Sequence, residues 1–80
     1  MTTGDVDAAR NTVLGAWTAA LGTDDIGLDD RFFDIGGTSV LALRLQTLLS
    51  EAFPDESISI VDVFRYPTVN QFVAHLREGR

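Results

Sequence analysis

Apolar and polar residues follow a helical period in three stretches of this chain and lose it between them. In the first stretch Val6, Ala9, Val13, Trp17, Ala20 and Leu21 share one face at ~100° per residue, and Asp7, Asn11 and Thr18 lie on the other. A helix is expected from Val6 to Leu21. Asp5 is placed to cap it, Gly22 to stop it, and Met1–Gly4 reads as a frayed tail. The second stretch predicts a helix from Ser39 or Val40 to Phe53, ended by Pro54. On it Leu41, Leu45, Leu48 and Ala52 fall opposite Ser39, with Leu49 at their edge. Val40, Leu43 and Thr47 fall on the Ser39 side. This helix therefore has a core face and a second, partly apolar strip. A small core cannot easily cover both, so the strip reads as a docking surface.

A short helix is expected at about Ile60–Arg65. Its apolar residues Ile58, Ile60, Val61, Val63 and Phe64 are β-branched or aromatic, which makes a strand the rival reading. Asp62, three residues after Ser59, imitates a capping box and favours the helix. Tyr66-Pro67 breaks it. Thr68 and Gln71 form a capping box for the last stretch, whose inner face is Val69, Phe72, Val73 and Leu76 and whose end is Gly79. The order is helix, long loop, helix, short helix, helix. The expected fold is all-α: a small up-and-down bundle with three longer helices and one short one.

The loop from Thr23 to Thr38 is longer than an idle connection needs. Ile26, Leu28, Phe32, Phe33 and Ile35 give it enough apolar surface to pin itself to the core, with a turn of helix near Arg31–Phe33. Phe32 and Phe33 are expected to be buried anchors. Asp24, Asp25, Asp29, Asp30 and Asp34 lack the calcium-loop spacing, with its central Gly and terminal Glu, and read as solvated or capping carboxylates.

Composition narrows the function. The 80 residues make one domain, with an ordered core expected over about 5–78. A chain this short buries about 60–65% of its unfolded surface, which leaves no room for a deep enclosed active site. There is no cysteine, hence no disulfide and no thiolate metal site. The net charge of −6 disfavours nucleic acid and anionic membranes and suits partners with Arg or Lys patches. With no membrane-spanning run and no signal peptide at Met1–Asp5, the cytoplasm is the expected compartment.

The remaining candidate chemistry is Gly36-Gly37-Thr38-Ser39, where the loop meets the second helix. Two glycines permit a turn that other residues resist, and clear side chains from one side of Ser39. Thr38 and Ser39 stand where N-caps stand. A phosphate on the Ser39 hydroxyl would lie against free N–H groups and the positive end of the helix dipole. Nothing within the chain activates that hydroxyl. The hydrolase elbow G-x-S-x-G fails at Leu41 and lacks its strand and triad. The sole histidine, His75, reads as a surface residue on the last helix, and there is no lysine for a phosphate-binding loop. No catalytic residue and no metal ligand is expected.

Asp30-x-Phe32-Phe33-x-x-Gly36-Gly37-x-Ser39, followed by Leu41-x-Leu43-Arg44-Leu45, closely resembles the thiolation motif of peptidyl carrier proteins from nonribosomal peptide synthetases. The likeness runs from about Val6 to Glu78 and includes the Trp17 helix, the acidic loop and Tyr66-Pro67-Thr68. The resemblance implies a four-helix bundle of acyl carrier type. It implies that Ser39 receives 4′-phosphopantetheine from coenzyme A through a separate transferase, with Gly36, Gly37 and Thr38 forming the turn that presents it. The arm's thiol would then hold an aminoacyl or peptidyl thioester. Implied partners are a phosphopantetheinyl transferase, an adenylation enzyme or domain, and condensation, thioesterase or tailoring enzymes. They would share the Val40, Leu43 and Thr47 strip on a monomeric carrier. Val40 stands where the family more often has Leu or Ile. Polyketide and fatty-acyl carriers more often show D-S-L at this site, an aryl-acid cargo is a further alternative, and an unmodified helical interaction module is the rival from another class.

Overall fold

A computed structural model describes the backbone of residues 2–78 and the side chains of residues 8–78. The expected order of elements is observed: α1 Thr2–Leu21, α2 Ser39–Ala52, α3 Ile60–Arg65 and α4 Val69–Glu78, with one 3₁₀ turn at Phe32–Asp34 inside the long loop. Among the described residues there is no strand, so the rival reading of α3 falls away. None of these helices is long and apolar enough to cross a membrane.

α1 packs against α2 and α4, and α2 against α3. Val13, Ala16, Trp17 and Ala20 line the inner face of α1, as its period requires. Trp17 is the centre of the core. Its indole meets Phe32 edge-on at 5.9 Å and Phe72 at 5.9 Å, joining α1, the loop and α4. Val69, Phe72, Val73 and Leu76 are all buried on α4, and the Thr68–Gln71 capping box is complete in both directions. On α3, the Asp62 carboxylate accepts the Ser59 N–H at 3.0 Å, as its spacing predicts.

Several expectations are corrected. α1 is helical from Thr2, so Asp5 lies inside its first turn rather than at a cap, and Thr2–Gly4 is not a tail. An acidic residue suits the positive end of a helix, and nothing between Thr2 and Asp5 forces a stop. Thr18 is half-buried rather than exposed. Met1 and the proposed stop at Gly79 lie outside the described residues, as do the side chains of Val6 and Asp7. On α2 the core face is turned from the one expected. Ala42, Leu45 and Leu49 are fully buried, Leu41 and Leu48 half-buried, and Ala52 exposed. A helical wheel fixes angles but not which flank the neighbours cover, and Ala52 is the last residue of the helix.

The long loop is held by polar as well as apolar contacts. Leu28 accepts the Asn70 N–H at 3.1 Å, Asp29 accepts from the Asn70 side chain at 2.9 Å, and Pro67 accepts the Phe32 N–H at 2.9 Å. The loop is therefore laced to the start of α4. Phe32 is fully buried, whereas Phe33 is only half-buried, its ring stacked on Phe64 of α3 at 5.1 Å.

Candidate functional site

The turn into α2 is built by two glycines with different tasks. Gly36 has φ of 109°, a conformation that L side chains rarely adopt. Gly37 is needed for space: a Cβ there would stand 2.3 Å from the Phe32 ring. Its N–H donates to the Phe32 carbonyl at 2.9 Å. The buried Phe32 ring thus seats the turn, and the Gly37 backbone lies directly on it. A Cβ at Gly36 would meet nothing within 4 Å, so it is the positive φ that calls for glycine there, whereas at Gly37 it is the Phe32 ring. Gly37→Ala is expected to cost about 1–3 kcal/mol, the ordinary range for overpacking a filled site. Equilibrium urea unfolding checks this, and a variant as stable as the wild type would contradict it.

After the glycines Thr38 is extended and caps α2, its hydroxyl accepting the Leu41 N–H at 3.2 Å. Its carbonyl accepts the Ala42 N–H at 2.8 Å. Ser39 is the first residue of the helix and is exposed. Among the described residues nothing accepts the N–H groups of Ser39 and Val40, and nothing engages the Ser39 hydroxyl. The first turn of α2 carries no acidic residue, so no carboxylate there offsets the positive end of its dipole. A free hydroxyl, free N–H groups and an uncompensated dipole suit a phosphodiester on Ser39.

Val40, Leu43 and Thr47 are all exposed beyond this turn, Val40 at 74% and Leu43 at 55%. α3 adds Val61 at 53% and Phe64 at 51%, which sequence reasoning missed. The signal was present. Val61 and Phe64 are three apart on a helix whose buried residue is Val63, so they share the outer side. His75 is less of a surface residue than expected. Its ring stacks on Tyr66 at 4.1 Å, and Nε2 lies 3.6 Å from Asp62 Oδ1.

The family described as "Phosphopantetheine attachment site" matches residues 11–76 of this chain. The chain belongs to that family. It is 42% identical over 71 residues to malformin synthetase mlfA of Aspergillus luchuensis (strain CBS 106.47), a match covering 86% of this chain and 1% of that protein. It is 36% identical over 62 residues to a linear gramicidin synthase of Brevibacillus parabrevis, covering 78% of this chain and 1% of that protein. The chain thus spans about 1% of the length of these curated relatives. Of solved structures, a docking domain complex of the Pax NRPS aligns with TM-score 0.76 at 35% identity, over 86% of this chain and 65% of that one. BlmI, a type-II acyl-carrier-protein from Streptomyces verticillus, aligns with TM-score 0.87 at 23% identity, over 98% of this chain and 93% of that one, and shows the fold alone. The acyl carrier fold, the likeness to nonribosomal peptide carriers and the covalent 4′-phosphopantetheine group are thereby established for the family to which this carrier domain belongs. Members of this family and fold are generally non-catalytic and work with the other domains of their synthetases.

Proposed function

We propose that Ser39 is the residue to which 4′-phosphopantetheine is joined, and that the chain carries aminoacyl or peptidyl groups between enzymes of nonribosomal peptide synthesis. The observation that carries this reading is the exposed, unengaged Ser39 hydroxyl at the start of α2, inside the family's matched region. The chain supplies position rather than catalysis. Gly36 and Gly37 set the turn, Thr38 caps the helix, and the free N–H groups receive the phosphate oxygens. The transferase is proposed to supply the base and the metal ion for the transfer. Ser39 Oγ forms the new bond to phosphorus, its proton goes to that base, and adenosine bisphosphate leaves from coenzyme A. Once bound, the arm offers a terminal thiol that holds an acyl group as a thioester. The chain itself is proposed to be a non-enzyme and a cytoplasmic monomer, a single carrier domain with an ordered core over about residues 5–78. Incubation with coenzyme A, a promiscuous phosphopantetheinyl transferase, and then an adenylating enzyme with its amino acid tests the reading. The account expects one phosphopantetheine mass, then one aminoacyl mass released by thioester cleavage. No gain at the first step would overturn it and favour the unmodified interaction module.

The partners proposed for this carrier are the transferase, the adenylation enzyme or domain, and condensation, thioesterase or tailoring enzymes. They are proposed to meet Val40, Leu43 and Thr47 on α2 together with Val61 and Phe64 on α3. What supports this is the exposure of four large apolar residues on the two helices, in a chain whose acidic charge suits basic partners. Leu43→Asp is expected to lower kcat/KM for priming about tenfold, or ~1.4 kcal/mol. Its stability is expected to change by no more than about 0.5 kcal/mol, as for other exposed positions. Priming rates and thermal melts of the variant decide, and a collapsed melting temperature would contradict the docking role.

A further inference from the structure

α3 has six residues, too few to hold itself together in water, so its position depends on ties to its neighbours. One peptide group governs its start. The carbonyl of Ile58 and the N–H of Ser59 belong to the same plane, and each end is held by a different helix. Gln46 of α2 donates from Nε2 to the Ile58 carbonyl at 2.8 Å. Asp62 of α3 accepts the Ser59 N–H at 3.0 Å. The Gln46 amide also donates to Ser50 Oγ at 3.0 Å, which fixes its rotamer. Ser50 Oγ donates to the same Ile58 carbonyl in a second, longer hydrogen bond of 3.5 Å.

We propose that Gln46 is a positioning residue for partner recognition: by clamping the Ile58–Ser59 peptide it sets α3 so that Val61 and Phe64 join Val40 and Leu43 in one face. The inference rests on the docking face proposed above and adds to it the device that assembles the face. Gln46 is half-buried, and its amide is engaged by Ser50 and Ile58. Its effect is on the geometry of α3.

Gln46→Glu keeps the side chain's shape and replaces its donors with acceptors, so the carboxylate faces the Ile58 carbonyl without a proton to share. Gln46→Lys restores a donor on a chain long enough to reach. With the transferase and coenzyme A, Gln46→Glu is expected to raise KM for the carrier about five- to tenfold with kcat unchanged, and Gln46→Lys to recover most of that loss. Hydrogen exchange of the α3 amides is expected to quicken in Gln46→Glu while α1 and α4 keep their protection. A Gln46→Glu variant with wild-type KM, or with slow α3 exchange, would overturn the proposal. So would loss of a cooperative melt, because the contact would then hold the whole fold and not α3 alone. Priming of the wild type is the separate control: if it fails, the carrier reading falls. If it succeeds and the variants match it, only the role of Gln46 falls.

Discussion

Ser39→Ala is expected to abolish priming and leave the fold intact. The two halves of that expectation have separate causes. Ser39 is exposed at the first position of α2, and among the described residues its hydroxyl makes no hydrogen bond. Alanine is a good helix residue there, and Thr38 keeps the cap through Leu41. A stability change within about 0.5 kcal/mol is expected, visible as an unshifted melting curve. The neighbouring hydroxyl cannot substitute. Thr38 Oγ1 is occupied by the Leu41 N–H and belongs to an extended residue outside the helix. Intact mass after exposure to coenzyme A and transferase is therefore expected to show full conversion of the wild type and none of the variant. A variant that still gained mass would show that another residue accepts the group.

Trp17→Ala is expected to have the largest effect on stability. Trp17 is completely buried and joins α1 to Phe32 of the loop and Phe72 of α4. Truncating an aromatic in such a site costs about 3–5 kcal/mol. At ~0.05–0.15 kcal/mol per residue a chain of this size has roughly 4–12 kcal/mol in total, so the variant sits near the edge of folding. The melting temperature is expected to fall by about 12 °C or more. Because Phe32 seats Gly37, the loss should reach the Ser39 turn, and priming of the variant should fall with its folded fraction. Trp17→Phe is the control. It keeps a ring and removes an indole N–H that has no acceptor in the core, a group costing about 1–3 kcal/mol to bury. Trp17→Phe melting no higher than Trp17→Ala would contradict this account of the core.

Much of this was legible in the sequence because it is local. The Thr68–Gln71 box, the α3 start at Ser59–Asp62 and the inner face of α4 are set within a few residues, and each stands where the spacing puts it. The turn at Gly36-Gly37 was legible as a turn, but the reason for Gly37 was not. That reason is the Phe32 ring, whose place is fixed by Trp17 on another helix. The rotated core face of α2 had the same origin, since neighbours rather than the wheel decide which leucines are covered. Gln46 gave no signal at all. It reads as an ordinary polar helix residue, and its acceptor is a carbonyl 12 positions away in a loop. Val61 and Phe64 had a signal in their spacing, but their β-branched and aromatic character raised a strand as the rival to the helix, and a strand would not put them on one side.

The most direct measurement is fragmentation of the primed chain to place the added group on one side chain. The account predicts the phosphodiester on Ser39 alone. Its appearance on Thr38, Ser50 or any other hydroxyl would contradict it.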